Sequence, residues 1–98
     1  MKNIQPTAVW GQVQANEPIN IIDVRQPEEV ATGIIPGAIN IPLGLLEFRM
    51  HELDKAKEYV IVCQAGGRSM RAAQFLESQG FQVINMDGGM NEWTGDVE

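Results

Sequence analysis

The chain has 98 residues, 44% of them hydrophobic, which is enough to enclose one core but not two, with about 65% of the unfolded surface buried at this size. A formal net charge of -6 and the lack of any basic stripe exclude a nucleic-acid binder, because that function rests on clustered Lys and Arg neutralising phosphates. The longest apolar stretch, Ile19 to Val24, is broken by Asn20 and Asp23 and falls far short of the roughly 20 residues that cross a bilayer. The amino terminus lacks a charged and apolar signal pattern. The single cysteine cannot form an internal disulfide, as suits a reducing compartment. Together these predict one domain over residues 1–98, cytoplasmic, with neither nucleic acid nor membrane as a partner.

Taken in chain order, the pattern alternates strands and helices. Lys2 to Ile4 reads as a short edge strand, and Pro6 opens a helix whose apolar face is Val9, Trp10 and Val13, ending before Asn16-Glu17-Pro18. Ile19 to Val24 is the next strand, Pro27 to Thr32 a brief helix stopped by Gly33, and Ala38 to Ile41 a short strand. Gly44 to Leu53 reads as one amphipathic helix turning Leu45, Leu46, Met50 and Leu53 to the core. Tyr59 to Val62 is a buried strand, followed by a helix from Ser69 to Gln79 with Ser69 as its cap, and a strand from Phe81 to Met86. Asp87-Gly88-Gly89 then turns the chain into a last short helix around Met90 to Trp93. Such alternation predicts an α/β fold whose parallel sheet is covered on both faces.

The functional signal lies at Cys63, where the apolar run Tyr59-Val60-Ile61-Val62 gives way to Gln64-Ala65-Gly66-Gly67-Arg68-Ser69. A cysteine at the carboxyl end of a strand, in a glycine-rich turn feeding a helix, stands where open α/β sheets hold their ligands. Successive N–H groups of the turn, the positive end of the helix and Arg68 form a concave anion site that favours a thiolate. Gly66 and Gly67 allow positive φ and let the backbone approach a bound group. A lone cysteine at a strand end is by default a small buried hydrophobe; the loop that follows it favours the chemical reading.

Cys63-Gln64-Ala65-Gly66-Gly67-Arg68-Ser69 resembles the Cys-x-x-Gly-x-Arg-Ser/Thr active-site loop of the rhodanese family of sulfurtransferases. Ile21-Ile22-Asp23-Val24-Arg25 with Pro27-Glu28-Glu29, then Gly33 to Pro42, and finally Gly88-Gly89, Trp93 and Gly95 are similar to further family segments in the same order. One departure is visible: the family usually has histidine where Ile34 stands, which bears on local packing at that turn. The resemblance implies a single-domain rhodanese-like fold with a mostly parallel five-stranded sheet. It also implies a two-step reaction. Cys63 as thiolate takes the outer sulfur of an anionic donor such as thiosulfate, holds it as a persulfide, and yields it to cyanide or a thiol. In that reaction the amides of Gln64, Ala65, Gly66, Gly67 and Arg68 hold the transferred sulfur. The Arg68 side chain either orients the anion or points away and braces the loop. A protein that accepts the sulfur is a further partner compatible with this scheme, and no metal or dissociable cofactor is called for.

Three other enzyme or binding classes bear comparison. Phosphatases that use a cysteine loop space it as Cys-x5-Arg, whereas Arg68 follows Cys63 after four residues, making a smaller cradle suited to one sulfur atom. Rhodanese-like domains that act purely as binding modules have lost the cysteine, and this chain keeps it. A protein-built zinc site wants three or four N or S ligands, and the chain has one histidine and one cysteine. Asp23 and Arg25 read as a structural ion pair or cap near Glu28 and Glu29, Arg49 and His51 as solvated surface, and Trp10 and Trp93 as core or rim aromatics.

Overall fold

The structure, a computed structural model, describes residues 1–98. Five strands, β1 (Lys2–Ile4), β2 (Asn20–Asp23), β3 (Ile39–Asn40), β4 (Glu58–Val62) and β5 (Gln82–Met86), form one sheet in the order β1-β5-β4-β2-β3. Every pairing is parallel, with Ile22 opposite both Ile39 and Ile61, and Val60 opposite Ile84. Four α-helices, α1 (Pro6–Gln14), α2 (Pro27–Val30), α3 (Leu46–Arg49) and α4 (Gly67–Ser78), and three single turns of 3-10 helix lie between and beyond the strands. No helix is long and apolar enough to cross a membrane.

Strand periodicity divides the core. Successive strand side chains point to opposite faces, so Ile22, Tyr59, Ile61 and Val83 pack with Ala72, Ala73 and Leu76 of α4, while Ile21, Val60, Val62 and Met86 pack with Val9 of α1. Cys63 continues the β4 alternation onto the α4 face. The β4 run is apolar on both faces because both are covered, as a central parallel strand requires.

Two expectations fail locally. The segment read as one helix from Gly44 to Leu53 is instead a 3-10 turn (Leu43–Leu45), α3, and a second 3-10 turn (Met50–Glu52). The breaks fall at Leu45 (φ -105, ψ -1) and Arg49 (φ -109, ψ 0), both near the bridge region, where helical hydrogen bonding is interrupted. Leu46 is buried, with Leu43, Met50 and Leu53 packed against the same cluster, but Leu45 is 47% exposed and Phe48 78%. Leu45 therefore does not join the core, because the reset at each break rotates it outward. Ser69 is not the cap of α4. The helix begins two residues earlier, at Gly67, with Gly66 as its cap in the left-handed region (φ 107).

The turn at Ile34 is held by backbone. Ile34 N–H donates to the Glu98 carbonyl (3.1 Å) and Glu98 N–H to the Ile34 carbonyl (2.9 Å), so a half-buried aliphatic side chain suffices there.

Candidate active site

The cysteine loop leaves the sheet at the carboxyl end of β4, beside that of β2. Cys63 is fully buried. Its Sγ accepts the Gly66 N–H at 2.9 Å, and its thiol donates to Ser69 Oγ at 3.3 Å, which in turn donates to the Gly66 carbonyl at 3.0 Å. Ser69, expected as a cap, thus sits beneath the loop as a bridge between the sulfur and the loop backbone.

The loop carbonyls are drawn outward by the 3-10 turn Gly89–Glu92. Met90 N–H donates to the Cys63 carbonyl (2.8 Å) and Asn91 N–H to the Gln64 carbonyl (2.9 Å). This contact explains the Gly88-Gly89 pair. A Cβ on Gly89, which sits at φ +59, would lie 2.3 Å from the Cys63 carbonyl oxygen. With those carbonyls and that of Gly66 occupied, the N–H groups of Gln64, Ala65, Gly67, Arg68 and Ser69 make no hydrogen bond within the protein. They are spare donors at the start of a 12-residue helix, whose dipole also favours negative charge.

Two arginine–carboxylate pairs tie the loop to β2 and α2. Arg25 and Asp23, expected to be structural, form an ion pair at 2.8 Å with both side chains buried. Arg25 reaches further. Its Nε and Nη2 bind Asp23, Nη2 also binds the Gly33 carbonyl (2.7 Å), and Nη1 binds the Glu29 carbonyl (3.4 Å) and Gln64 Oε1 (3.0 Å). All five guanidinium donors are therefore used, and Gln64 passes the link on through its own Nε2 to Asn91 Oδ1 (2.8 Å). The reach of Arg25 to the cysteine loop was not legible in the sequence, since Gln64 is 39 positions away.

Arg68 resolves to the bracing alternative. Its two terminal nitrogens hold the two oxygens of Glu29 at 2.6 and 2.7 Å, a bidentate pair between α4 and α2. The Arg68 hydrogen bond, assisted by the Gln26 backbone N–H, lowers the Glu29 carboxyl to about 2. Arg49 and His51 stand apart from this group. Arg49 pairs with Glu52 (2.9 Å) and touches the Asn40 carbonyl, and His51 Nδ1 lies 2.9 Å from the Phe48 carbonyl. Trp10 and Trp93 pack edge to face at 5.8 Å on the α1 side of the sheet.

Comparison with known proteins agrees with this arrangement. The protein-family model described as "Rhodanese-like domain" matches residues 5–96. The chain is 43% identical over 98 residues to a Bacillus subtilis protein named "Putative sulfurtransferase YtwF", covering all of this chain and 95% of that one. It is 40% identical over 78 residues to a protein from Allochromatium vinosum named "Sulfurtransferase", covering 79% of this chain and 73% of that one. The crystal structure of a rhodanese-like domain protein from Staphylococcus aureus superimposes with a TM-score of 0.94 at 34% identity, covering 100% of this chain and 97% of that one. The chain belongs to the rhodanese-like domain family.

Proposed function

We propose that the protein is a single-domain cytoplasmic sulfurtransferase in which Cys63 carries sulfane sulfur between a donor and a thiophilic acceptor. The observation that carries this reading is the sulfur of the only cysteine taking a loop N–H at 2.9 Å while five neighbouring N–H groups have no partner. Spare donors in the loop around the sulfur are the groups that would stabilise a compact anion at the end of the cysteine side chain.

With thiosulfate as donor, the Cys63 thiolate attacks the outer sulfur. A new S–S bond forms, the donor S–S bond breaks, and its electron pair leaves with sulfite. The persulfide that remains carries one negative charge, which matches the spare loop amides. Cyanide or a thiolate then attacks the outer sulfur, leaves as thiocyanate or a new persulfide, and restores the Cys63 thiolate, so the scheme is ping-pong. Because Cys63 has no exposed surface, the donor enters when the stretch Ala65-Gly66-Gly67, tied down only through Gly66, lifts between the anchors at Gln64 and Arg68. Ala65 and Gly67 are exposed, and a Cβ on Gly67 would meet nothing within 4 Å. The catalytic group is Cys63; Gln64, Ala65, Gly66, Gly67 and Arg68 contribute backbone donors. Acceptors include low-molecular-weight thiols and a thiol on a partner protein.

The test is Cys63→Ser, which keeps volume but cannot form a persulfide. Thiosulfate:cyanide transfer should vanish while the circular dichroism spectrum and melting temperature stay within the range of a surface substitution. Transfer at the wild-type rate in this variant would end the reading.

A further inference from the structure

The most exposed aromatic side chain stands beside a groove at the end of the sheet away from Cys63. Phe48 is 78% exposed, more than any other large hydrophobic residue, and Leu45, three positions before it, is 47% exposed. Next to them, α3 and the 3-10 turn Met50–Glu52 border a groove of about 390 Å³, room enough for a benzyl side chain. Its apolar floor is Met50, Leu53 and Phe81, and its walls carry Glu47, His51 and Lys55. Phe48 adjoins it, since Glu47 precedes it on α3 and its carbonyl lies 2.9 Å from His51 Nδ1. Leu53 and Lys55 lead into β4 and Phe81 into β5, so the groove sits at the amino ends of these strands. Cys63 follows the carboxyl end of β4, about 16 Å along the strand.

The charges around this groove are also without partners. Lys2, Arg25, Arg49 and Arg68 each meet a carboxylate, but Lys55 meets none within the chain, and Glu47 meets no cation. Lys55 instead rests over the Phe81 ring, 5.4 Å from its centre. One patch thus holds an uncovered knob beside a groove, and an unpaired acid beside an unpaired base. A surface carrying both halves of each contact is self-complementary, which is what a two-fold interface between identical chains requires.

We infer that this patch is a two-fold docking surface for a second copy of the chain. Phe48 of each copy enters the groove of the other, against Met50, Leu53 and Phe81, and Glu47 of each copy meets Lys55 of the other. The ring leaves water and gains an aromatic neighbour in Phe81, while Leu45 is covered at the rim. An unrelated protein would have to supply the same knob, groove, acid and base in the same arrangement; a second copy already has them. Each copy carries a net charge of -6, so long-range repulsion and the small size of the patch make the pairing weak and reversible. Pairing of this kind is independent of sulfur transfer, since both cysteine loops lie at the far end of β4 from the seam.

Sedimentation velocity of the whole chain over about 5–500 µM, a range that spans micromolar dissociation constants, should show a mass rising from one chain toward two. Phe48→Ser should weaken the association constant by about 10-fold or more, as loss of a central aromatic anchor does. Glu47→Lys and Lys55→Glu each set like charges across the seam, and each should weaken association by about 10-fold. The double variant, Glu47→Lys with Lys55→Glu, restores opposite charges and should associate within about 3-fold of wild type. Recovery in the double variant identifies Glu47 and Lys55 as partners across the seam, which a general loss of folding in the single variants would not produce. A wild-type mass of one chain throughout, association unchanged by Phe48→Ser, or no recovery in the double variant would overturn the two-fold pairing.

Discussion

Two arginine–carboxylate pairs hold the same loop, and they do so from different environments. Arg25–Asp23 is buried on both sides, at 2% and 1% exposure, whereas Arg68–Glu29 is left at 34% and 29%. The buried pair is part of the framework: it carries large desolvation costs that only a complete set of hydrogen bonds offsets, and Arg25 has that set. The half-exposed pair gains little in high dielectric and can exchange with water when the loop moves. One end of the loop is thus fixed to the core, and the other is closed by an adjustable clasp.

The largest effect should come from breaking the buried pair. Arg25→Ala leaves Asp23 charged and uncompensated and removes the donor to Gln64, so urea denaturation should show a loss of about 3–5 kcal/mol. A loss near that of a surface substitution would mean that the framework lies elsewhere. Next is the contact that draws the loop carbonyls outward. Gly89→Ala puts a Cβ 2.3 Å from the Cys63 carbonyl and 2.7 Å from that of Gln64 at positive φ, an arrangement costing on the order of 1–3 kcal/mol. Sulfur transfer should fall more than stability does, because the loop amides are displaced; equal activity in the folded variant would contradict their role.

The clasp should give the smallest effect. Arg68→Ala should lower stability by about 0.2–1 kcal/mol, with little change in the dependence of rate on the charge of the donor, because Arg68 is not free to meet it. Its partner sets a pH signature. The Glu29 carboxyl is lowered from 4.5 to about 2, so its contribution to stability is fully present above about 4.5 and is lost as pH falls toward 2. The difference in melting temperature between wild type and Glu29→Gln should be constant from neutral pH to about 5 and shrink below it. A difference that grows on acidification would contradict the pairing.

What could be read from the sequence was what local pattern controls. The β4 run, the break at Cys63, the glycine turn and the apolar spacing of Ala72, Ala73 and Leu76 are all short-range signals, and strand, loop and helix follow within two residues of expectation. The exposed Leu45 and the broken helix around it were not legible, because a spacing that fits one helix also fits three short turns whose breaks are set by packing. Nor was the hub at Arg25, which joins Gly33 and Gln64 from separate parts of the chain. Glu29 and Arg68 are likewise 39 positions apart. Arg68 could be named from its motif, but where its side chain points depended on α2 packing beside the loop.

The central claim, that Cys63 is a reversible carrier of one sulfur atom, is tested most directly by intact-protein mass spectrometry of wild type and Cys63→Ser. The account predicts that wild type gains the mass of one sulfur atom on incubation with a sulfane donor and loses it on addition of cyanide, while the variant gains none. A wild-type mass unchanged by the donor, or an equal gain in the variant, would contradict it.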